Sequence, residues 1–132
     1  MKNIQVLEKS ILLADNDAVI LESLAGKFRK LGFKVITANT GYDALDLYNK
    51  FYPDIVIIDE DLKEIDGLEL FLKLFFYNPS IKVILTTRKT ESTENCNSEN
   101  FVVLKKRFTD DELKKILKDV HFIPQIFSEG FQ

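Results

Sequence analysis

Four apolar segments of the chain each lead into a side chain that suits phosphate or metal chemistry. The four side chains are those of Asp15, Asp59, Thr87 and Lys106, and Asn16 directly follows Asp15. Two carboxylates, an amide, a backbone carbonyl and waters suit a hard divalent cation such as Mg²⁺, which usually keeps several of its waters. A carboxylate nucleophile, a metal site, a hydroxyl donor and a lysine are also the parts needed to form and hold an aspartyl phosphate. These residue types predict phosphoryl chemistry if the fold brings the four ends together.

The segment 55–58 indicates which kind of element positions them. Its four consecutive apolar, β-branched residues are typical of a strand buried on both faces, as at the centre of a parallel sheet. Pro53-Asp54 in front of it is a turn signal. Asp59 then lies at the carboxyl end of a central strand, the edge at which open parallel sheets bind ligands.

The rest of the chain alternates between short apolar segments and helical patterns. The apolar segments 11–14, 34–38, 83–86 and 101–104 predict four more strands. Helices are predicted from an N-cap at Asp17 to a stop at Gly32, over 41–50, from Leu68 to a stop near Pro79, and after a capping box at Thr109. The apolar face of the first helix is predicted to consist of Ile20, Leu24, Phe28 and Leu31. That of the third helix is predicted to consist of Leu68, Phe71, Leu72 and Phe75.

This alternation predicts an α/β fold, a flavodoxin-like, doubly wound parallel sheet of five strands in the order 2-1-3-4-5. In that order the first and third strands are neighbours, so Asp15 and Asp59 meet where the winding reverses. Residues 88–100 interrupt the alternation because they offer no apolar face, so we expect a loop or weak turns there and a fourth helix that is short or absent.

Length and composition limit the remaining possibilities. The chain has 132 residues, enough for one domain, which we place at residues 10–120 between a leader (1–9) and a tail (121–132). A net charge of −3 without a basic stripe argues against direct nucleic-acid binding. Since no apolar stretch approaches the about 20 residues of a membrane span and no signal peptide is recognisable, we expect a cytoplasmic protein. Three tail phenylalanines could mark a partner or homodimer surface: Phe122, Phe127 and Phe131.

Several motifs together carry a family resemblance. They are the segments 11–17, 53–59, 83–87 and 104–108, and the Asp66-Gly67-Leu68-Glu69-Leu70 piece that follows Asp59 at a fixed distance. With these motifs the chain resembles, from Ser10 to about Val120, the receiver domain of bacterial two-component response regulators.

The resemblance implies a role for each residue at the strand ends. Asp59 would accept a phosphoryl group from a histidine kinase or a phosphotransfer protein, and an unknown downstream protein would read the change. Asp15, Asp59 and the backbone carbonyl of Asp61 would hold Mg²⁺. Thr87 and Lys106 would contact the phosphoryl oxygens. Such a domain accepts a phosphoryl group, with autodephosphorylation left open, and is not a turnover enzyme.

The chain also departs from the family pattern. Asn16 stands in place of a second acid, so its amide oxygen would serve as a weaker, uncharged metal ligand. Lys63 and Arg107 replace prolines, and the Lys106–Arg107 bond is predicted to be trans because a cis bond without proline costs about 2.5–4 kcal/mol. Arg88 replaces a small residue and would cover the site or add a cation, and Val103 replaces an aromatic residue.

Two alternative functions follow from these residues. The departures favour a pseudo-receiver, which would use the same fold as a protein-interaction module without phosphorylation. Asp59-Glu60-Asp61 also resembles the nucleophile motif of haloacid-dehalogenase phosphohydrolases. That family carries the motif on its first strand and a further acidic motif later, for which this chain has too little room.

Overall fold

A computed structural model describes residues 9–89, 101–106 and 108–119 of the chain. Five strands and four helices lie within these residues. The strands are β1 Ser10–Ala14, β2 Lys34–Ala38, β3 Ile55–Asp59, β4 Lys82–Thr87 and β5 Phe101–Lys105. The helices are α1 Ala18–Lys30, α2 Gly41–Phe51, α3 Gly67–Tyr77 and α4 Asp110–Asp119.

The sheet has the predicted topology. Its strand order is β2-β1-β3-β4-β5 and every neighbouring pair is parallel, so the predicted doubly wound fold is confirmed. Ala14 of β1 pairs with Ile58 of β3, which sets Asp15 and Asp59 level with each other one residue later. Asp59 pairs in turn with Thr86. The register therefore gathers the four strand ends at one edge of the sheet.

The core lies in two layers, one on each face of the sheet. Ile55 and Ile57 of β3 point into the layer under α1 and α4, while Val56 and Ile58 point into the layer under α2 and α3. Because successive side chains of a strand point to opposite faces, a central strand covered on both sides must be apolar throughout. All five residues of β3 are buried, including Asp59 at its end.

The helix ends follow the predicted signals. Asp17 caps α1 by accepting a hydrogen bond from the N–H of Val19 at 2.9 Å, and Gly32 follows the helix with a φ of 97°. Thr109 and Glu112 form a reciprocal capping box, in which each backbone N–H donates to the other residue's side chain, at 2.7 and 3.1 Å. Asp66 caps α3.

The predicted inner faces of two helices were wrong in part. In α3 the fully buried residues are Leu70 and Leu74, while Leu68 and Leu72 are about half exposed. Apolar residues occur all round this helix, so their spacing could not select the buried face. In α1 the buried residues are Leu21, Ala25 and Phe28. The inner face is therefore rotated relative to the predicted stripe, and of the four residues predicted for that stripe only Phe28 is fully buried.

Several sequence-based expectations fall outside the described residues. They concern the leader up to residue 8, the segment 90–100 with its short or absent fourth helix, the Lys106–Arg107 bond and the tail. Within the part of the chain that is described, no helix has the length and apolar content needed to cross a membrane.

Candidate functional site

Three charged side chains meet beyond the carboxyl ends of β1, β3 and β5. Asp15 and Asp59 are 4% and 6% exposed. The ammonium nitrogen of Lys106 lies 3.2 Å from Asp15 Oδ2 and 3.3 Å from Asp59 Oδ2, so one lysine, whose side chain is 11% exposed, bridges both carboxylates. The structure thus brings together three of the residues that the sequence nominated.

Backbone hydrogen bonds fix where these side chains point. The N–H of Asp17 donates to Asp15 Oδ1 at 2.9 Å, and that of Asp61 donates to Asp59 Oδ1 at 3.4 Å. The N–H of Lys106 donates to the carbonyl of Thr87 at 2.7 Å, which continues the pairing of β4 and β5 by one residue. Each carboxylate is therefore oriented by the turn that follows its own strand, with its second oxygen directed at Lys106.

Among the described residues, the cluster holds more negative than positive charge. Burial, followed by the negative charge of Asp15, raises the pKa of the Asp59 carboxyl, and the Lys106 ammonium and the Asp61 N–H offset only part of this rise. Two carboxylates share one ammonium, which leaves the cluster with an excess of negative charge. A further cation near Asp15 and Asp59 would lower the electrostatic cost of ionising both.

Thr87 is buried beside this cluster, but its hydroxyl is bonded to other groups. Its hydroxyl donates to the carboxylate of Glu60 and accepts from the N–H of Lys89 at 3.0 Å. The Lys89 ammonium also pairs with Glu60 at 3.0 Å. Burial alone would raise the pKa of Glu60, but the hydrogen bond from Thr87 and the two contributions of Lys89 together lower it.

Asn16 connects β1 to the loop after β3. Its amide nitrogen donates to the carbonyl of Asp61, and its amide oxygen accepts from the N–H of Lys63 at 2.9 Å. A backbone carbonyl only accepts and a backbone N–H only donates, so these two partners fix the orientation of the amide. A carboxylate at this position could accept from Lys63 but could not donate to Asp61.

The donor set fits a hard divalent cation of the Mg²⁺ class. Within the described residues, no three acidic, histidine or cysteine side chains come together as a metal cluster. Mg²⁺ does not need such a cluster, because it is commonly held by one or two carboxylates and completes its shell with water. Asp15 and Asp59 supply two carboxylates, and the Asp61 carbonyl and the Asn16 amide oxygen lie on the adjoining loops.

A cleft of about 810 Å³ opens beside the cluster, between α1 and the residues that end or follow β4 and β5. Asp15 and Lys106 line it at one end, Val19 and Ile20 of α1 form part of its wall, and Arg88 lies on its lining. Arg88 is exposed, which leaves its guanidinium on the solvent side of the cleft. The cleft therefore leads from solvent to Asp15 and Lys106 of the cluster.

Comparison with known proteins decides the family. The family model described as the response regulator receiver domain matches residues 11–118. The chain belongs to this family.

Receiver domains of solved structure share its fold. The receiver domain of the Francisella response regulator 1452 is 29% identical to this chain, the alignment covers 86% of this chain and 97% of that domain, and the TM-score is 0.73. Response regulator TrrA from Thermotoga maritima, solved in complex with Mg(2+)-BeF, is 30% identical over 85% of this chain and 98% of its own, with a TM-score of 0.72.

Curated relatives differ in how much of their length this receiver domain spans. Sporulation initiation phosphotransferase F of Bacillus subtilis is 28% identical, and the alignment covers 86% of this chain and 94% of that protein. Transcriptional regulatory protein GlrR of Escherichia coli is 34% identical over 58% of this chain, but the match spans only 17% of its length. The first relatives matched are thus mostly much longer than the region they share with this receiver domain.

Sequence reasoning missed one group of functional interest. The sequence assigns Glu60 no role of its own, whereas its side chain is 22% exposed and engages both Thr87 and Lys89. No periodicity or motif carries this information, because the contact depends on β3 and β4 being neighbours.

Proposed function

We propose that this receiver domain is a phosphorylatable switch in two-component signalling. Asp59 accepts a phosphoryl group from a histidine kinase or a phosphotransfer protein, in the presence of Mg²⁺. The observation that supports this most directly is the buried cluster of Asp15, Asp59 and Lys106, in which one ammonium lies within 3.3 Å of both carboxylates. A buried pair of carboxylates is costly to keep without a function.

The residues around Asp59 each have a part in the transfer. One Asp59 oxygen forms a bond to phosphorus as the phosphorus–nitrogen bond of the donor's phosphohistidine breaks. The electron pair of that bond stays with the imidazole, which leaves neutral once it is protonated. Lys106 pairs with the phosphoryl oxygens, so less negative charge opposes the attack.

Thr87 changes partner in this proposal. Its hydroxyl donates to Glu60 before phosphorylation and would turn to donate to a phosphoryl oxygen afterwards. Glu60 would then keep its ion pair with Lys89, so its charge would still have a partner.

Mg²⁺, when bound, would add positive charge beside the acceptor. Asp15, Asp59, the Asp61 carbonyl and the amide oxygen of Asn16 would hold it, together with water. The uncharged amide lowers the ligand charge, so we expect weaker binding than at a site with three acids.

We further propose that the product is a stable phosphoprotein or one that loses its phosphoryl group slowly, without turnover of a separate substrate. Residues 10–120 would form the receiver domain of a cytoplasmic protein, read by a downstream partner protein rather than by nucleic acid.

One observation favours a second candidate, the pseudo-receiver. Both ends of the Asn16 amide are engaged by the loop, and Lys106 already occupies both carboxylates. A site satisfied in this way could persist without metal or phosphate, as part of a protein-binding module.

Intact mass after incubation with acetyl phosphate tests the proposal. The native chain should gain one phosphoryl group when Mg²⁺ is present and not when EDTA replaces it. Asp59→Asn should abolish the gain, and Asp43→Asn, which removes an exposed carboxylate of α2, should leave it unchanged. No gain in the native chain, under conditions that label another receiver domain, would support the pseudo-receiver instead.

A further inference from the structure

The outward side of α3 carries an apolar stripe that remains exposed in the described part of the chain. Leu68, Leu72, Phe75 and Phe76 are 51%, 55%, 43% and 82% exposed. Their spacing of four, seven and eight residues places them on one face of the helix. A solvent-facing helix surface is normally polar, so this stripe is the kind of surface that binds another protein.

The inner side of the same helix is already satisfied. Leu70 and Leu74 are fully buried in the core, and the ring of Phe71 packs on Phe101 of β5 with centroids 4.5 Å apart. The helix therefore has two apolar faces, of which the domain needs one.

The apolar surface continues towards the end of α2. A groove of about 390 Å³ lies between the two helices and is lined by Leu45, Leu72, Phe76 and Tyr77, among others. The amide of Asn78 donates to the hydroxyl of Tyr48 at 2.9 Å, which joins the ends of α3 and α2. Tyr52 packs edge-on against Tyr48 and is 71% exposed. We call Leu68, Leu72, Phe75, Phe76, Tyr77 and Tyr52 the α3 surface.

The charges on α3 indicate the occupant. Its sequence contains one acid and one base, Glu69 and Lys73, one turn apart, with their charged atoms 3.9 Å from each other. The helix is thus neutral, and a second copy can approach it without repulsion between like charges. If the twofold axis of an antiparallel pair crosses α3 at Leu72, the middle of the stripe, Glu69 of each copy lies within one turn of Lys73 of the other.

The size of the surface is compatible with such a pair. An aromatic side chain offers about 150–250 Å², and the four of the α3 surface are between 43% and 82% exposed. With the two leucines, the burial per copy would be on the order of 600 Å², somewhat below the roughly 800 Å² per partner of a standard interface. We therefore expect a reversible dimer rather than an obligate one.

We propose that the α3 surface is a homodimer interface in which two copies of α3 pack antiparallel around a twofold axis. A twofold interface uses the same patch on both copies, so a self-complementary helix suffices to form it. The inference does not depend on phosphorylation of Asp59.

Sedimentation velocity of the full chain over a concentration series tests this interface. We expect a monomer–dimer equilibrium that Phe76→Lys weakens by at least tenfold. Val19→Lys is the matched control, because Val19 is an apolar residue of α1 that is 78% exposed and lies away from the α3 surface. Far-ultraviolet circular dichroism of both variants should match that of the native chain.

A charge exchange tests the antiparallel arrangement itself. Glu69→Lys and Lys73→Glu should each weaken self-association, since each places like charges across the axis. An equimolar mixture of the two variant chains should associate again, because the partner helices then carry opposite charge. A chain that stays monomeric at every concentration, a dimer indifferent to Phe76→Lys, or a mixture that fails to associate would each overturn the proposal.

Discussion

Replacing Lys106 by methionine should destabilise the domain far more than the loss of an ordinary surface lysine. The Lys106 side chain is 11% exposed and its ammonium lies 3.2 and 3.3 Å from carboxylates that are 6% and 7% exposed. Removing one partner of a buried charge pair leaves the other charge uncompensated, which costs about 3–5 kcal/mol. Here two carboxylates lose the same cation, so we expect the free energy of unfolding to fall by about 4 kcal/mol.

Urea denaturation in EDTA measures this loss. Small domains are stable by about 5–15 kcal/mol and lose about 1–3 kcal/mol per molar urea. The midpoint should therefore fall by roughly 2 M. Lys27→Met is the matched control, because Lys27 also pairs with an aspartate, Asp110, at 2.8 Å, but both side chains are well exposed. Exposed pairs contribute about 0–1 kcal/mol.

A second substitution separates charge from packing. In the Lys106→Met background, Asp59→Asn should recover part of the lost stability, because one of two unpaired carboxylates disappears. The two changes should therefore be non-additive by about 0.5–3 kcal/mol. The reasoning is refuted if Lys106→Met costs no more than Lys27→Met, or if the two substitutions at the site simply add.

Three further predictions concern the same edge of the sheet. Gly67→Ala would place a Cβ 2.5 Å from the carbonyl oxygen of Asp59, so thermal unfolding should show a loss of about 1–3 kcal/mol, together with slower phosphorylation. Asn16→Asp removes the donor to the Asp61 carbonyl and should cost about 0.5–1.5 kcal/mol in EDTA, because the freed carbonyl is exposed to water, while calorimetry should show tighter Mg²⁺ binding through the added charge. Asp59→Asn should be more stable than the native chain at pH 7. The folded-state pKa of Asp59 is raised above 3.8, so its contribution to stability is present below that pH and is lost as the pH rises through the raised pKa. Urea midpoints of this variant and the native chain should therefore converge in acid; a gap of unchanged size at low pH would contradict the pKa argument.

The fold could be predicted from local patterns because those patterns are strong here. The second strand was predicted with the bounds that the structure has, Lys34–Ala38, and the third, predicted over 55–58, ends one residue later at Asp59. Side-chain caps such as Asp17 act over two or three residues, so their positions mark helix ends without knowledge of the tertiary fold. The meeting of Asp15 and Asp59 followed from strand order, since parallel strands bring their carboxyl ends to one edge.

Other features depend on contacts between distant parts of the chain. The hydrogen bond from Thr87 to Glu60 joins β4 to β3. Asn16, which follows β1, contacts Asp61 in the loop after β3, 45 residues away in the sequence. The buried face of α3 could not be predicted because the helix carries apolar side chains on more than one of its faces. Only packing against the sheet selects Leu70 and Leu74 as the buried residues.

Locating the phosphoryl group within the chain tests the central claim most directly. Borohydride reduces an aspartyl phosphate to homoserine, so peptide mass spectrometry after treatment with acetyl phosphate and Mg²⁺ identifies the acceptor. We predict homoserine at position 59 alone, and none when EDTA replaces Mg²⁺. Homoserine in place of Asp15 or Asp61, or an unmodified Asp59 in a chain that has gained phosphoryl mass, would contradict the assignment.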